Sequence, residues 1–277
     1  MEVCMNKMVR QTLDIMDTGY YDVNGIHVDI KDLQETAVKE SFLLTPKQGE
    51  ELLNKSEEIV KMVSKKKTIY SVWNCSTVEA ILQMYKKGKD VGVLNFASAK
   101  NPGGGFINGA MAQEESLAVS SCLYKTQLAH EEYYTKNRSC KTMMYTDYAI
   151  YSPNVVFFRD GHFGLLEKPV AASVLTLPAV NMGQVMLKGE NVSKAENVMK
   201  NRMKLSLAIF ANQGCKHLIL GAYGCGVFRN DPMKIAQWWS ELLQQDFAGV
   251  FENVVFAVLD KSSTGKCIKA FQMIFGS

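Results

Sequence analysis

Gly103, Gly104 and Gly105 are followed, seven residues later, by Gln113-Glu114-Glu115. Neighbouring carboxylates raise one another's pKa, so one of a pair can hold a proton near neutral pH. Hydrolysis of a ribosyl glycosidic bond uses such a group. Its transition state is oxocarbenium-like, the leaving oxygen must be protonated and a water deprotonated. Glycine can take positive φ and lets the backbone approach a ligand closely, and successive N–H groups in such a loop make anion-binding nests. A second glycine-rich loop runs from Gly221 through Gly224-Cys225-Gly226 to Asp231. Two such loops on one sheet edge could grip a diphosphate between them. Taken singly, each is equally a tight strand-to-helix turn. Glu114 and Glu115 could likewise do no more than favour a helix N-terminus, by about 0.3–1 kcal/mol each.

The usual nucleotide signatures are missing. No window supplies G-x-x-x-x-G-K-[ST], since Gly265-Lys266 is followed by Cys267. Gly224-Cys225-Gly226 begins a G-x-G-x-x-G fingerprint, but Arg229 stands where its last glycine would be.

The elements around these loops read as alternating strands and helices. Apolar spacing predicts a helix from Cys4 to Asp17. A hairpin follows over Tyr20–Ile30, turning at Asn24-Gly25. Thr45-Pro46 supplies an N-cap and first-turn proline for a helix to about Ser64, ended by Lys65-Lys66-Lys67 as an exposed helix end. Strands are predicted at Thr68–Val72, Val91–Ala97, Met143–Tyr151, Val155–Phe158, Ala172–Leu177, His217–Leu220 and Val254–Leu259. Helices are predicted at Val78–Tyr85 and from around Glu114 toward Lys136. Another opens at the capping box Ser193-Lys-Ala-Glu196 and ends near Gly214. Asp231-Pro232 starts a helix carrying Trp238 and Trp239, and Lys266–Phe275 is the last. This alternation indicates a mainly parallel or mixed sheet covered on both faces, and ligands of such sheets bind outside the carboxyl ends of strands. The glycine loops leave two of those ends. The chain reads as an N-terminal helical and hairpin extension, residues 1–67, packed on a core of residues 68–277.

Composition narrows the rest. Of the 277 residues, 47% are apolar and 21% charged, and 31 basic against 28 acidic residues leave a net charge of +3, too balanced for a nucleic-acid binder working by bulk electrostatics. No sequence-specific nucleic-acid binding is expected. The seven cysteines are odd in number and lack C-x-x-C spacing, so they read as reduced thiols of a cytoplasmic protein rather than a zinc site or disulfide framework. The N-terminus lacks the plan of a signal peptide, and no apolar run approaches the roughly 20 residues of a membrane span.

The triple glycine, the seven-residue gap and Gln113-Glu114-Glu115 resemble the signature of the microbial-type poly(ADP-ribose) glycohydrolases. The flanks agree, with Leu94-Asn-Phe-Ala-Ser-Ala-Lys-Asn-Pro before the glycines and Ser116-Leu117 after Glu115. Leu220-Gly-Ala-Tyr-Gly-Cys-Gly-Val-Phe resembles that family's diphosphate loop. The similarity runs from about Arg10 to the C-terminus. It implies a three-layer α/β/α macrodomain-like fold with a mixed sheet, holding ADP-ribose in a cleft at the strand ends. It implies exo-acting hydrolysis of ribose–ribose bonds in poly(ADP-ribose), with ADP-ribose as product and no metal or cofactor. Glu115 would be the general acid and base, helped by the substrate's own phosphate in placing the water. Glu114 would fix the scissile ribose, Gln113 support the loop and Asn101 hold the distal ribose. Gly103, Gly104 and Gly105 would line the diphosphate from one side. Gly224, Cys225, Gly226 and Val227 would close it from the other, with Phe228 against the distal ribose. A mono-ADP-ribosylated protein or nucleic acid as substrate, or a reader that binds ADP-ribose without cleaving it, would use the same loops.

Some residues depart from the pattern or stand outside it. Tyr223 replaces an expected tryptophan. Arg229 touches a phosphate or faces solvent. Arg159 and His162 read as surface residues, and Cys225 as a small buried thiol.

Overall fold

The computed structural model describes residues 2–63 and 67–276, with side-chain surroundings from residue 7 onward. The chain opens with helix α1 (Glu2–Thr18), the hairpin strands β1 (Tyr20–Val23) and β2 (Ile26–Asp29), helix α2 (Lys31–Glu40), strand β3 (Phe42–Leu44) and helix α3 (Pro46–Met62). Then come β4 (Ile69–Trp73), α4 (Thr77–Lys86), β5 (Val91–Ala97) and three short helices, α5 (Gln113–Ser120), α6 (Leu123–Leu128) and α7 (Glu131–Ser139). A long hairpin of β6 (Ala149–Arg159) and β7 (Leu165–Pro178) precedes α8 (Met182–Leu187) and α9 (Val192–Asn212). The chain ends with β8 (His217–Leu220), α10 (Pro232–Glu241), β9 (Asn253–Ala257) and α11 (Lys266–Phe275).

Seven strands form one mixed sheet in the order β3-β6-β7-β5-β8-β9-β4. Its central part, β7-β5-β8-β9-β4, is parallel, while β6 and β3 run antiparallel at one edge. Side chains alternate across a strand. Leu94, Leu175, Leu218 and Phe256 therefore pack beneath α9, α10 and α11, while Val93, Val174, Ile219 and Val255 pack beneath α1, α4, α5 and α6. These two apolar cores make the molecule three-layered. Gly92 leaves space for a helix side chain: a Cβ there would lie 2.8 Å from the Phe210 ring.

Local chemistry accounts for the predicted turns and caps. Asn24 and Gly25 take φ of 51° and 77° in the β1–β2 turn. The Thr45 hydroxyl accepts from Gln48 N–H, whose side chain accepts from Thr45 N–H in return. The predicted end of α3 at Ser64 to Lys66 lies outside the described residues.

Other boundaries moved, each because a distant partner took the backbone. The helix expected from Glu114 to Lys136 is three pieces, broken where Ser121 bridges to Phe157 and Cys122 N–H donates to Val156 O. The strand expected from Met143 begins only at Ala149, because Asn137 and Glu190 hold the backbone of Thr146 and Met143. Helix α9 starts at Val192, capped by Asn191 through Lys194 N–H, and not by Ser193. Helix α2 and strand β3 lack strong sequence patterning. Strand β3 nevertheless adds an edge to the main sheet, and α3 packs on α9. Arg159 is buried rather than on the surface. Its guanidinium donates to Thr12 and Gln11 of α1 and to Phe163 O, so it ties the first helix to the core. His162 is exposed, 3.9 Å from Glu79.

Candidate active site

The site is built at the carboxyl end of β5. Asn95 shares a face of the strand with Val91 and Val93, toward α5, and is fully buried. Past Ala97 the chain turns through Ser98, Asn101 and the triple glycine, and α5 brings Gln113, Glu114 and Glu115 back over the strand end. Gln113 fastens this return. Its carbonyl oxygen accepts from Phe96 N–H at 2.9 Å, and its amide donates to Leu94 O at 2.9 Å and Thr77 Oγ1 at 3.2 Å.

Glu114 is buried and takes three donors: Ser98 N–H at 2.6 Å, the Asn95 amide at 3.1 Å and the Gln127 amide at 2.9 Å. Such donors favour the carboxylate, yet loss of water outweighs them. Burial, helped by the Glu115 charge, pushes the Glu114 carboxyl up to about 8.

Glu115 is half-buried beside it. One carboxylate oxygen accepts from Gly105 N–H at 2.9 Å and the other from Ala112 N–H at 3.0 Å. The second bond is a helix cap, as expected of a glutamate at a helix N-terminus. The first turns the carboxylate toward the glycine loop, and both glutamates line one cavity. Gly104 sits between them at φ +61°, where a Cβ would lie 2.4 Å from Glu115 Oε1 and 3.1 Å from Glu114 Oε2.

The three glycine N–H groups do not form the open nest expected of them. Gly103 donates to Gln127 Oε1, Gly104 to Asn101 O and Gly105 to Glu115. The second loop supplies what the first withholds. Gly224 takes φ +71°, its carbonyl accepts from both the amide and the N–H of Asn230, and Arg229 N–H closes on Gly226 O. Between those bonds the consecutive N–H groups of Gly226, Val227 and Phe228 have no partner among the described residues. They are three donors free for an anion.

A cavity of about 340 Å³ lies between the loops, lined by Asn101, Gly104, Gly105, Gln113, Glu114, Glu115, Gly224, Gly226, Val227 and Phe228. Two residues named from the sequence stand outside it. Gly103 is buried against Phe106. Cys225 lines an adjoining cavity of about 400 Å³ with Cys75 and Cys267, and burial pushes its thiol well above the usual range. The two cavities share Phe96, Ala112, Gln113, Ala222 and Gly226. Tyr223 is buried and donates to Leu177 O at 2.8 Å, with its ring tilted on Phe96.

Sequence reading missed Gln127, which bridges Glu114 to the glycine turn, and Asn230, which clasps the second loop to Val180 O. Asn95 carried a usable signal, being a polar residue on an otherwise apolar buried strand. Gln127 and Asn230 carried none.

Residues 9–160 match the family model for the microbial-type PARG, or poly(ADP-ribose) glycohydrolase, catalytic domain. Similar solved structures have the same description. A poly(ADP-ribose) glycohydrolase from Thermomonospora curvata shares 35% identity over 98% of this chain and 99% of that chain, with a TM-score of 0.92. The enzyme from that organism bound to the inhibitor ADP-HPD gives 35% identity, 98% of each chain and a TM-score of 0.90. A poly(ADP-ribose) glycohydrolase from Deinococcus radiodurans in complex with ADP-ribose gives 37% identity, 91% of this chain and 98% of that chain, and a TM-score of 0.83. No curated protein matches the chain.

Proposed function

The chain belongs to the microbial-type poly(ADP-ribose) glycohydrolases, and from that premise we propose how its cleft works. It hydrolyses the ribose–ribose O-glycosidic bonds of poly(ADP-ribose), acting from the chain end and releasing ADP-ribose. In the substrate complex Glu115, having taken up a proton, gives it to the leaving oxygen as the bond to the ribose anomeric carbon breaks. The resulting carboxylate takes a proton from the water that attacks that carbon, which returns Glu115 to its starting state. Glu114 fixes the scissile ribose and Asn101 holds the distal ribose. The free N–H groups of Gly226, Val227 and Phe228 receive the diphosphate, while Gly104 and Gly105 give it room. The adjoining cavity at Cys75, Thr77 and Lys261 takes the adenosine end.

The observation that carries this reading is the fixed Glu115 carboxylate. Two backbone N–H groups aim it into the cavity that Glu114 also lines. A module that only bound ADP-ribose would have no use for it there. One glutamate serves both proton transfers, because its neighbour is committed to three other donors.

Residues 1–67 act as a brace for this core. The Arg159 clasp on α1, and β3 at the sheet edge, support that role. Among the described residues no helix is long and apolar enough to cross a membrane. The described cysteines are free thiols, which supports a cytoplasmic setting.

Glu115→Gln tests the assignment. Polymer turnover should fall by roughly 10²–10⁴-fold, the share a positioned acid–base group supplies, while the Kd for ADP-ribose stays within about threefold. Near-normal release of ADP-ribose by this variant would overturn the role of Glu115. Faster turnover of a mono-ADP-ribosylated acceptor than of polymer would overturn the substrate.

A further inference from the structure

On the far side of Val227 from the catalytic cavity lies a groove of about 610 Å³, lined by Asn181, Gln184, Met186, Leu187, Val227 and Arg229. Val227 lines both, so the groove adjoins the catalytic cavity. The groove is on the Phe228 side of the site, away from the cavity of Cys75 and Lys261. With the adenosine end in that cavity and the scissile ribose at Glu114, the groove lies on a side left for the rest of a substrate.

The groove wall is unusual in two ways. Met186, Leu187 and Val227 are exposed by 53%, 76% and 84%, forming an apolar shelf beside the site. Arg229 is the only cation of the wall and makes no ion pair among the described residues. Its backbone is held at φ +57°, a left-handed conformation that non-glycine residues rarely adopt. Gly183 makes room for its stem, since a Cβ there would lie 3.1 Å from Arg229 Cδ. Gly183 N–H also donates to Phe228 O, which joins the helix α8 side of the groove to the second loop. A strained backbone and a cleared path thus hold a free guanidinium next to an apolar shelf.

We propose that this groove is a second substrate site, taking the adenosine diphosphate unit on the leaving side of the scissile bond. The claim rests on the polymer-cleaving reading above. The base lies on the shelf of Met186, Leu187 and Val227. The Arg229 guanidinium meets the diphosphate, which it can bind through two parallel hydrogen bonds. The site lies outside the chemistry, so it acts on polymer capture and not on the bond-breaking step.

The test uses the full-length protein with Arg229→Ala and, separately, Leu187→Asp. Steady-state turnover of poly(ADP-ribose), calorimetric binding of ADP-ribose and thermal unfolding are measured for each. Both variants should raise KM for polymer by roughly five- to tenfold at unchanged kcat. For Arg229→Ala the slope of log(kcat/KM) against log salt should also shrink, by about one counterion or less. ADP-ribose affinity and Tm should stay at wild-type values. Unchanged polymer KM and salt slope would overturn the second site. Equal losses of polymer KM and ADP-ribose affinity would also overturn it, since they point to a distorted second loop. A wild-type protein that binds ADP-ribose without cleaving polymer would defeat the underlying reading instead.

Discussion

In the loop from Ser98 to Gly105 the backbone donors are turned inward, whereas in the loop from Gly221 to Asn230 the central ones are left open. The first spends Ser98 N–H on Glu114, Gly103 N–H on Gln127 and Gly105 N–H on Glu115. The second is pinned at its ends by Asn230 and the Arg229–Gly226 turn, and leaves the N–H groups of Gly226, Val227 and Phe228 without a partner among the described residues. Composition is similar and use is opposite. The first loop's glycines exist because carboxylates and a ring press on them. In the second, Gly221 and Gly224 are pressed by Ala257 O and Asn230, and Gly226 alone leaves open space for a ligand. Holding carboxyl groups in fixed positions needs an internally satisfied backbone, and receiving an anion needs an unsatisfied one.

The strongest way to break this contrast is Gly104→Ala. The added methyl would sit 2.4 Å from Glu115 Oε1 at a backbone φ of +61°. Relief would have to displace one or both carboxylates, so activity on polymer should fall at least about a hundredfold, and stability should drop by roughly 2–4 kcal/mol. Turnover assays and denaturant unfolding measure the two losses. If the variant keeps wild-type turnover, the first loop is no more constrained than the second.

That contrast was only half legible in the sequence. Both loops, the glutamates and the sheet were visible, because turn chemistry, apolar alternation and caps are local. The allocation of donors was not, because it depends on partners far along the chain. Gln127 reaches Gly103 from 24 residues away, and Asn95 reaches Thr176 from 81. The same cause split the predicted helix at Ser121, where Phe157 competes for the backbone, and turned Arg159 from a loop residue into a buried clasp on α1. Equal glycine content concealed unequal roles, and only a hydrogen-bond inventory separates them.

A smaller effect is specific to the first loop and depends on pH. The Glu114 carboxyl titrates near 4.5 when free and is held at about 8 by burial in the folded protein. Below pH 4.5 it is protonated in both states and favours neither. Between those values the unfolded chain releases the proton that the folded one keeps, so stability falls as pH rises. The slope is at most about 1.4 kcal/mol per pH unit, and the loss is complete above pH 8. Glu114→Gln cannot ionise. Wild-type stability minus that of the variant should therefore decline from pH 5 to pH 8 in urea titrations. A flat difference would show that the three donors around Glu114 keep it ionised, and that the first loop holds two charges rather than one.

The smallest structural effect is expected in the second loop. A Cβ on Gly226 would meet nothing within 4 Å, and its φ lies outside the left-handed range, so Gly226→Ala should leave stability within about 0.5 kcal/mol of wild type. Binding should respond differently. Gly226 lines both cavities and begins the run of free N–H groups, so the open space beside it is where a diphosphate would cross from one cavity to the other. A methyl there should weaken ADP-ribose binding by roughly tenfold at constant Tm, as read by calorimetry and thermal unfolding. Gly104→Ala should lose stability and activity together, and Gly226→Ala affinity alone. Unchanged affinity would place the ligand away from the second loop and leave its three open donors without a purpose.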